Sequence, residues 1–179
     1  SDLTWDKDAI HIGEYKFRTI SLSLLPEGQT FASMGNIFAS VPFHFWMSQS
    51  IHLLDQAKEK SALELKRRIA HSMASGSQNV SDLESENKLG QIEGLLSNLL
   101  EGSQKLLSSD FNVIIWGKTK SELDDKTDEI LKTFRSMNQA EGLQETLASK
   151  EVFLKSLPGR CEGLRHKKMK SSNASHLMP

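Results

Sequence analysis

The chain has 179 residues, of which 37% are hydrophobic and 25% are charged, and 22 basic residues nearly balance 23 acidic ones. This composition predicts one globular domain with a real core and excludes a disordered chain. The longest apolar run, residues 113–116, is far shorter than the roughly 20 residues of a bilayer span, so we expect no transmembrane segment. One cysteine excludes an internal disulfide framework, and the first residues do not resemble a signal peptide, which fits a cytoplasmic location.

Charge is unevenly distributed along the chain. Residues 151–179 carry six Lys/Arg against two Glu, a net charge of +4, which leaves −5 for residues 1–150. A nearly neutral chain has no large electrostatic surface for nucleic acid, so the composition disfavours a nucleic-acid partner. The basic tail alone is suited to phosphate, acidic lipid or an acidic protein surface.

The first third of the chain predicts an arm, a strand, a helix and a second strand. Residues 1–14 are mostly polar and predict an N-terminal arm. Apolar and polar residues alternate from 15 to 25, as in a half-buried strand. Residues 30–40 have apolar side chains at helical spacing before Pro42, and the alternation returns from 43 to 53, with Ile51 and Leu53 on the apolar face.

The middle of the chain, about residues 55–107, predicts an inserted helical hairpin. Asp55 is placed to cap its first helix, in which Leu65, Ile69 and Met73 form a narrow apolar stripe among many charged residues. The second helix has a broader stripe of leucine and isoleucine. We therefore expect the first helix to face solvent or another protein over most of its surface.

The next part of the chain repeats the strand and helix order of the first part. Residues 111–116 are apolar on both faces and predict a central strand. Thr119 and Glu122 have capping-box spacing, and a helical stripe follows at the positions Leu123, Thr127, Ile130, Phe134 and Met137. Residues 143–147 predict a weak fourth strand, in which Leu143, Glu145 and Leu147 alternate with Gln144 and Thr146. Residues 15–158 thus predict an α+β domain, a ferredoxin-like split βαβ sheet of four strands with the hairpin inserted.

The last stretch contains an apolar helix that ends at a Leu-Pro-Gly sequence, a basic segment and then a small polar segment. Pro158 and Gly159 are typical of a helix end. We interpret residues 159–179 as a basic linker toward a further domain that is not present in this chain.

This stretch resembles the segment that precedes the nucleotide-binding domain in TraC-like and DotO-like ATPases of type IV secretion and conjugation. The matching residues are Phe153, Leu157, Pro158, Gly159, Ser172, Asn173, Ala174, Leu177 and Pro179. The resemblance implies a hexameric ATPase that is cytoplasmic and peripheral at the bacterial inner membrane, with inner-membrane secretion subunits as partners. It also implies that ATP and Mg²⁺ belong to the motor of the parent protein, and that this chain is a non-catalytic scaffold and docking domain with no cofactor of its own.

Gly117-Lys118-Thr119 matches the end of a Walker A motif, but position 112, where that motif needs glycine, is Asn within an apolar strand. We therefore interpret the triplet as a strand end followed by a helix cap, and we expect no catalytic residues in this chain.

The other candidate residues give weaker signals. The six histidines have no metal-ligand spacing, and Cys161 stands alone beside Arg160, so we expect no metal site. Asp124, Asp125, Asp128 and Glu129 cluster on the polar side of one helix, which is typical of a solvated face or of a docking surface. The alternative to a secretion-ATPase domain is an independent ferredoxin-like binding module for nucleic acid or a regulatory protein. An open reading frame that continues beyond Pro179 into a phosphate-binding loop would favour the ATPase.

Overall fold

The structure is a computed structural model that describes residues 3–27, 30–76, 83–160 and 162–178. The chain divides into two compact units, Ser1–His52 with Ser108–Pro179, and Leu53–Leu107. The strands are β1 Leu3–Trp5, β2 Ile10–Ile12, β3 Tyr15–Leu24, β4 Trp46–Leu53, β5 Leu106–Gly117, β6 Glu141–Gln144 and β7 Lys167–Lys170. The helices are α1 Gln56–Gly76, α2 Leu83–Leu100, α3 Lys120–Ser136, α4 Ser149–Lys155 and α5 Ser171–His176, with a 3-10 helix at Met34–Ser40.

One sheet of seven described strands organises the first unit. Its main path is β1-β2-β3-β5-β4, while β6 also pairs with β3 and β7 with β5. The pairs β1-β2, β2-β3, β3-β5 and β3-β6 are antiparallel, and β3 meets β5 in the register from Lys16↔Gly117 to Ser21↔Asn112. The prediction of a mixed sheet and helix fold is confirmed, whereas the sheet contains more strands than the four predicted.

The face of the sheet that carries Phe111, Val113 and Ile115 packs against α3 and the 3-10 helix. Phe38, Phe111 and Phe134 have ring centroids 5.3–6.0 Å apart, which is the distance range of favourable aromatic pairs. The predicted stripe of α3, from Leu123 to Met137, is buried. Thr119 caps α3, since its hydroxyl oxygen accepts a hydrogen bond from the Glu122 N–H.

The opposite face carries Ile114 and Trp116 and packs against α4, because neighbouring residues of a strand point to opposite faces. Ile10, Ile114 and Phe153 form a buried cluster there, and the ring of Phe17 lies 5.7 Å from that of Phe153. The strands β1 and β2 lie within the stretch that we expected to be an arm. Strands of three residues are too short to show an alternating pattern in the sequence.

In two of the predicted strands, apolar side chains that were expected to face the core are exposed to solvent. Ile51 and Leu53 are exposed at the end of β4, which is an edge strand and therefore covered only in part. Leu143 and Leu147 are exposed, whereas Glu145 is buried and donates its N–H to the Thr19 carbonyl. The predicted helix over 30–40 is a 3-10 helix of seven residues, and it buries Met34 and Phe38.

The second unit contains α1 and α2, which pack on each other in the stretch predicted to be a helical hairpin. Asp55 caps α1 by accepting from the N–H groups of Ala57 and Lys58, as predicted. Gln56 exchanges hydrogen bonds with the N–H and carbonyl of Leu106 and so joins the two ends of the unit. α1 is exposed over most of its described surface, as expected. Leu65 and Ile69 are about half exposed and Met73 more so, and Ile69 and Met73 line a groove with Ile92 of α2.

Candidate functional site

Gly117-Lys118-Thr119 occupies the junction between β5 and α3. Gly117 is the last residue of the strand, and Thr119 is the cap of the helix. The Lys118 N–H donates to Glu122, 2.9 Å away, and its ammonium pairs with Glu14 at 3.0 Å. Hydrogen bonds from Lys126 and from the Lys118 N–H lower the pKa of Glu122. The interpretation of the triplet as a strand end and a helix cap is confirmed.

The acidic surface of α3 consists of Asp124, Asp125, Asp128 and Glu129. Asp124 accepts a hydrogen bond from the buried Arg18 guanidinium at 2.9 Å, and Glu129 lies 3.6 Å from Lys132. Asp125 and Asp128 are exposed and have no ion-pair partner in the part of the chain that the structure describes. Of the four acidic residues predicted as a docking surface, Asp124 and Glu129 thus lie in ion pairs within the domain, whereas Asp125 and Asp128 face solvent.

The first half of the tail motif forms the end of α4 and the turn after it. Phe153 is buried in the core, and Leu157 packs against the same cluster. Gly159 has φ of 84°, a left-handed conformation that glycine adopts at little cost, as predicted for this helix end.

The second half of the tail motif lies in α5 and just after it. Asn173 accepts a hydrogen bond from the Thr30 hydroxyl at 3.1 Å, and the Ala174 carbonyl accepts one from Gln49 at 3.2 Å. Leu177 is buried, and a Cβ at Gly35 would collide with its carbonyl. Pro179 lies outside the described residues. The stretch that we expected to be a linker thus contains β7 and α5, which belong to the first unit.

A buried polar cluster under the tail was not predicted from the sequence. Both carboxylate oxygens of Glu145, whose exposure is 1%, accept hydrogen bonds from the Arg165 guanidinium at 2.8 Å. Burial opposes the charged form of Glu145, but the Arg165 hydrogen bond and charge outweigh it, and its pKa lies below the ordinary value. Asp110 is also buried and accepts from Ser50, and a Cβ at Gly163 would collide with its carboxylate.

The buried polar cluster could not be predicted from a local sequence pattern, because its members are far apart in the sequence. The one available signal was Glu145 itself, a charged residue in an alternating stretch whose partner lies 20 residues further on.

No group of histidine, cysteine or acidic side chains in the described residues has the arrangement of a metal site. His52 and His166 stack edge to face at 4.8 Å. Cys161 lies outside the described residues. Across the same residues, no helix is long and apolar enough to cross a bilayer.

The fold defines a mixed α/β protein with an antiparallel sheet covered by helices on both faces. The profile of the TraC protein family, TraC_F_IV, matches residues 4–159, most of the chain, and the chain therefore belongs to the TraC family. No curated protein shows significant sequence similarity to it. Membership of this family indicates a part in conjugation or type IV secretion, as the tail resemblance implied.

The matched residues only partly coincide with the motif that suggested the family. Residues 153–159 lie inside the match, whereas the motif residues from Ser172 to Pro179 lie beyond it. The family assignment therefore rests on the sheet and hairpin region rather than on the tail.

Proposed function

We propose that this chain is the non-catalytic scaffold and docking domain of a hexameric ATPase that energises type IV secretion or conjugative transfer. The observation that carries the proposal is the TraC family match over residues 4–159. In this proposal the motor domain follows the chain and holds ATP and Mg²⁺. The protein works in the cytoplasm at the inner membrane, against membrane-bound secretion subunits.

The junction of β5 and α3 supports the non-catalytic role. A phosphate-binding loop presents several backbone N–H groups and a free lysine to the nucleotide. Here the Lys118 N–H and ammonium are both bonded to carboxylates, and the preceding residues are paired in β5. The Lys118–Glu14 pair is exposed and therefore weak, so the pairing of the preceding residues in β5, which leaves no loop for a phosphate, is the stronger support.

The sheet is suited to be a rigid platform. Four of its strands, in the order β6-β3-β5-β4, follow the order of a ferredoxin-like sheet, and the pairs β6-β3 and β3-β5 are antiparallel as that fold requires. We propose that these four strands are a ferredoxin-like nucleus to which β1, β2 and β7 have been added.

Two surfaces are proposed for docking. Asp125 and Asp128 supply unpaired carboxylates on a helix that is anchored to the sheet by its buried stripe. In the second unit, the exposed Leu65, Ile69 and Met73 supply an apolar stripe on α1. Exposed apolar residues in a row commonly mark protein interfaces.

Reversing the charge of the acidic surface tests the docking role. In the whole ATPase, the double variant Asp125→Lys/Asp128→Lys should reduce conjugative transfer at least tenfold and leave ATP hydrolysis unchanged, because the change affects only contacts with partners. The matched control is Glu27→Lys/Glu162→Lys, which reverses two exposed carboxylates elsewhere on the first unit. Equal transfer by both variants would contradict the use of this surface.

A further inference from the structure

β4 is an edge strand with unusual composition. It ends the path of the sheet, and no other described strand pairs with it on the side away from β5. Free strand edges readily pair with other chains, and proteins usually protect them with charged residues or proline. β4 contains neither, and residues 28–54 lack Lys, Arg, Asp and Glu altogether in a chain that is 25% charged.

A groove of about 590 Å³ adjoins the first half of β4. One wall consists of residues 45–49 and the other of residues 156–160, in the turn after α4. Side chains of consecutive strand residues point to opposite faces, so a groove on one face of the sheet would contact only alternate residues. Five consecutive residues line this one, which places it along the backbone edge of β4.

The side chains of the groove indicate what it would bind. The indole ring of Trp46 is half exposed and is supported from behind by Trp116 at 5.6 Å, so it offers a fixed apolar contact. Arg160 is the one ionised side chain of the lining, is exposed, and has no ion-pair partner in the described part of the chain. Paired guanidinium and carboxylate groups make strong, oriented hydrogen bonds.

We propose that the β4 edge binds an extended segment of a partner protein by strand addition, with an acidic side chain of that segment against Arg160. Backbone hydrogen bonds along β4 supply affinity, and the contacts with Trp46 and Arg160 supply specificity. A second copy of this chain fits less well, because β4 has no carboxylate to offer Arg160 of its neighbour. The inference adds a partner surface to the proposed docking role but stands without it.

The probes are labelled octapeptides of alternating valine and threonine, in which one glutamate replaces each position in turn. A matched set has lysine in place of the glutamate. Both sets are added to the 179-residue chain. The best glutamate peptide should bind at least tenfold more tightly than its lysine counterpart and should slow amide hydrogen exchange at residues 46–49. Arg160→Ala should remove the preference and Arg160→Glu should invert it. Arg135→Glu, which reverses an exposed arginine on α3, should leave it unchanged.

Three outcomes would overturn the proposal: equal binding of the glutamate and lysine peptides, no binding by either set, or protection confined to residues outside 45–49 and 156–160. Dimerisation of the chain that protects residues 46–49 without peptide would also overturn it, because the occupant would then be a second copy. Failure of strand addition can be distinguished from failure of the proposed non-catalytic role, because the two are tested by different ligands. ATP binding by the chain would remove the non-catalytic role and leave strand addition untouched.

Discussion

Ile130→Asp should lower the free energy of unfolding by several kcal/mol, on the order of 4, because it places a carboxylate without a partner in the core. Ile130 is fully buried where α3 packs on the sheet. The measurement is chemical denaturation of the purified chain with the melting temperature as a second readout. Neutralisation of the new carboxylate at low pH should recover part of the loss, because a protonated acid is less costly to bury.

The matched control is Asp128→Ala, two residues away on the exposed side of α3. This change should shift the free energy of unfolding by no more than about 0.5 kcal/mol. Melting temperatures that agree between the two variants would show that α3 presents a different face to the sheet.

Arg165→Ala should cost about 2 to 3 kcal/mol of stability at neutral pH, because it leaves the buried Glu145 carboxylate without its cation. A fully buried pair broken in this way costs about 3 to 5 kcal/mol. We expect the smaller cost of about 2 to 3 kcal/mol for Arg165→Ala, because the Arg165 side chain is 41% exposed and water can therefore solvate Glu145 in the variant. Unfolding of the variant and of wild type in the same buffer measures the difference, with Arg160→Ala as a control for loss of an exposed arginine.

The loss of folding stability caused by Arg165→Ala should depend on pH. The folded-state pKa of Glu145 lies below its ordinary value of 4.5, so the pair stabilises the folded chain above that pH. This contribution is lost as the pH falls through the folded-state pKa, where Glu145 takes up a proton. The stabilities of variant and wild type should therefore converge on acidification below 4.5, and a difference that widens instead would show that Glu145 is not held by Arg165.

The elements with a strong and local pattern were predicted well from the sequence. β5 is apolar on both faces, which allows only a central position in a sheet, and α3 has both a capping signal at Thr119 and a regular buried stripe. In both elements the residue pattern, the local propensity and the packing favour the same structure. Secondary structure can be predicted from sequence when these three agree.

The errors occur where a tertiary contact overrides the local pattern. Leu143 and Leu147 alternate as if they faced a core, yet Leu143 lies on the exposed side of β6 and the strand ends at Gln144. Beyond the strand the alternation no longer holds, so Glu145 is buried against Arg165 whereas Leu147 is exposed. The tail contains a basic segment that reads as a solvated linker. β7 nevertheless pairs with β5, an interaction between residues about 60 positions apart that no local pattern reveals.

The proposed docking surfaces differ in how far the sequence revealed them. The acidic surface of α3 was visible as four carboxylates on the polar side of a helix that has a clear capping signal at Thr119. The groove at β4 was not visible in the sequence. Its two walls, residues 45–49 and 156–160, are brought together only by the fold. The absence of charge in residues 28–54 was the available signal, and it becomes informative only once β4 is known to be an edge strand.

Titration of ATP with Mg²⁺ into the isolated chain tests most directly the claim that this domain docks rather than catalyses. We expect no binding up to millimolar ATP, because the residues before Lys118 are paired in β5 and form no phosphate-binding loop, and the Lys118 N–H donates to Glu122. Lys118→Ala should then be indistinguishable from wild type in the titration. Micromolar ATP binding by wild type that Lys118→Ala abolishes would contradict the non-catalytic role and make the β5-α3 junction a nucleotide site.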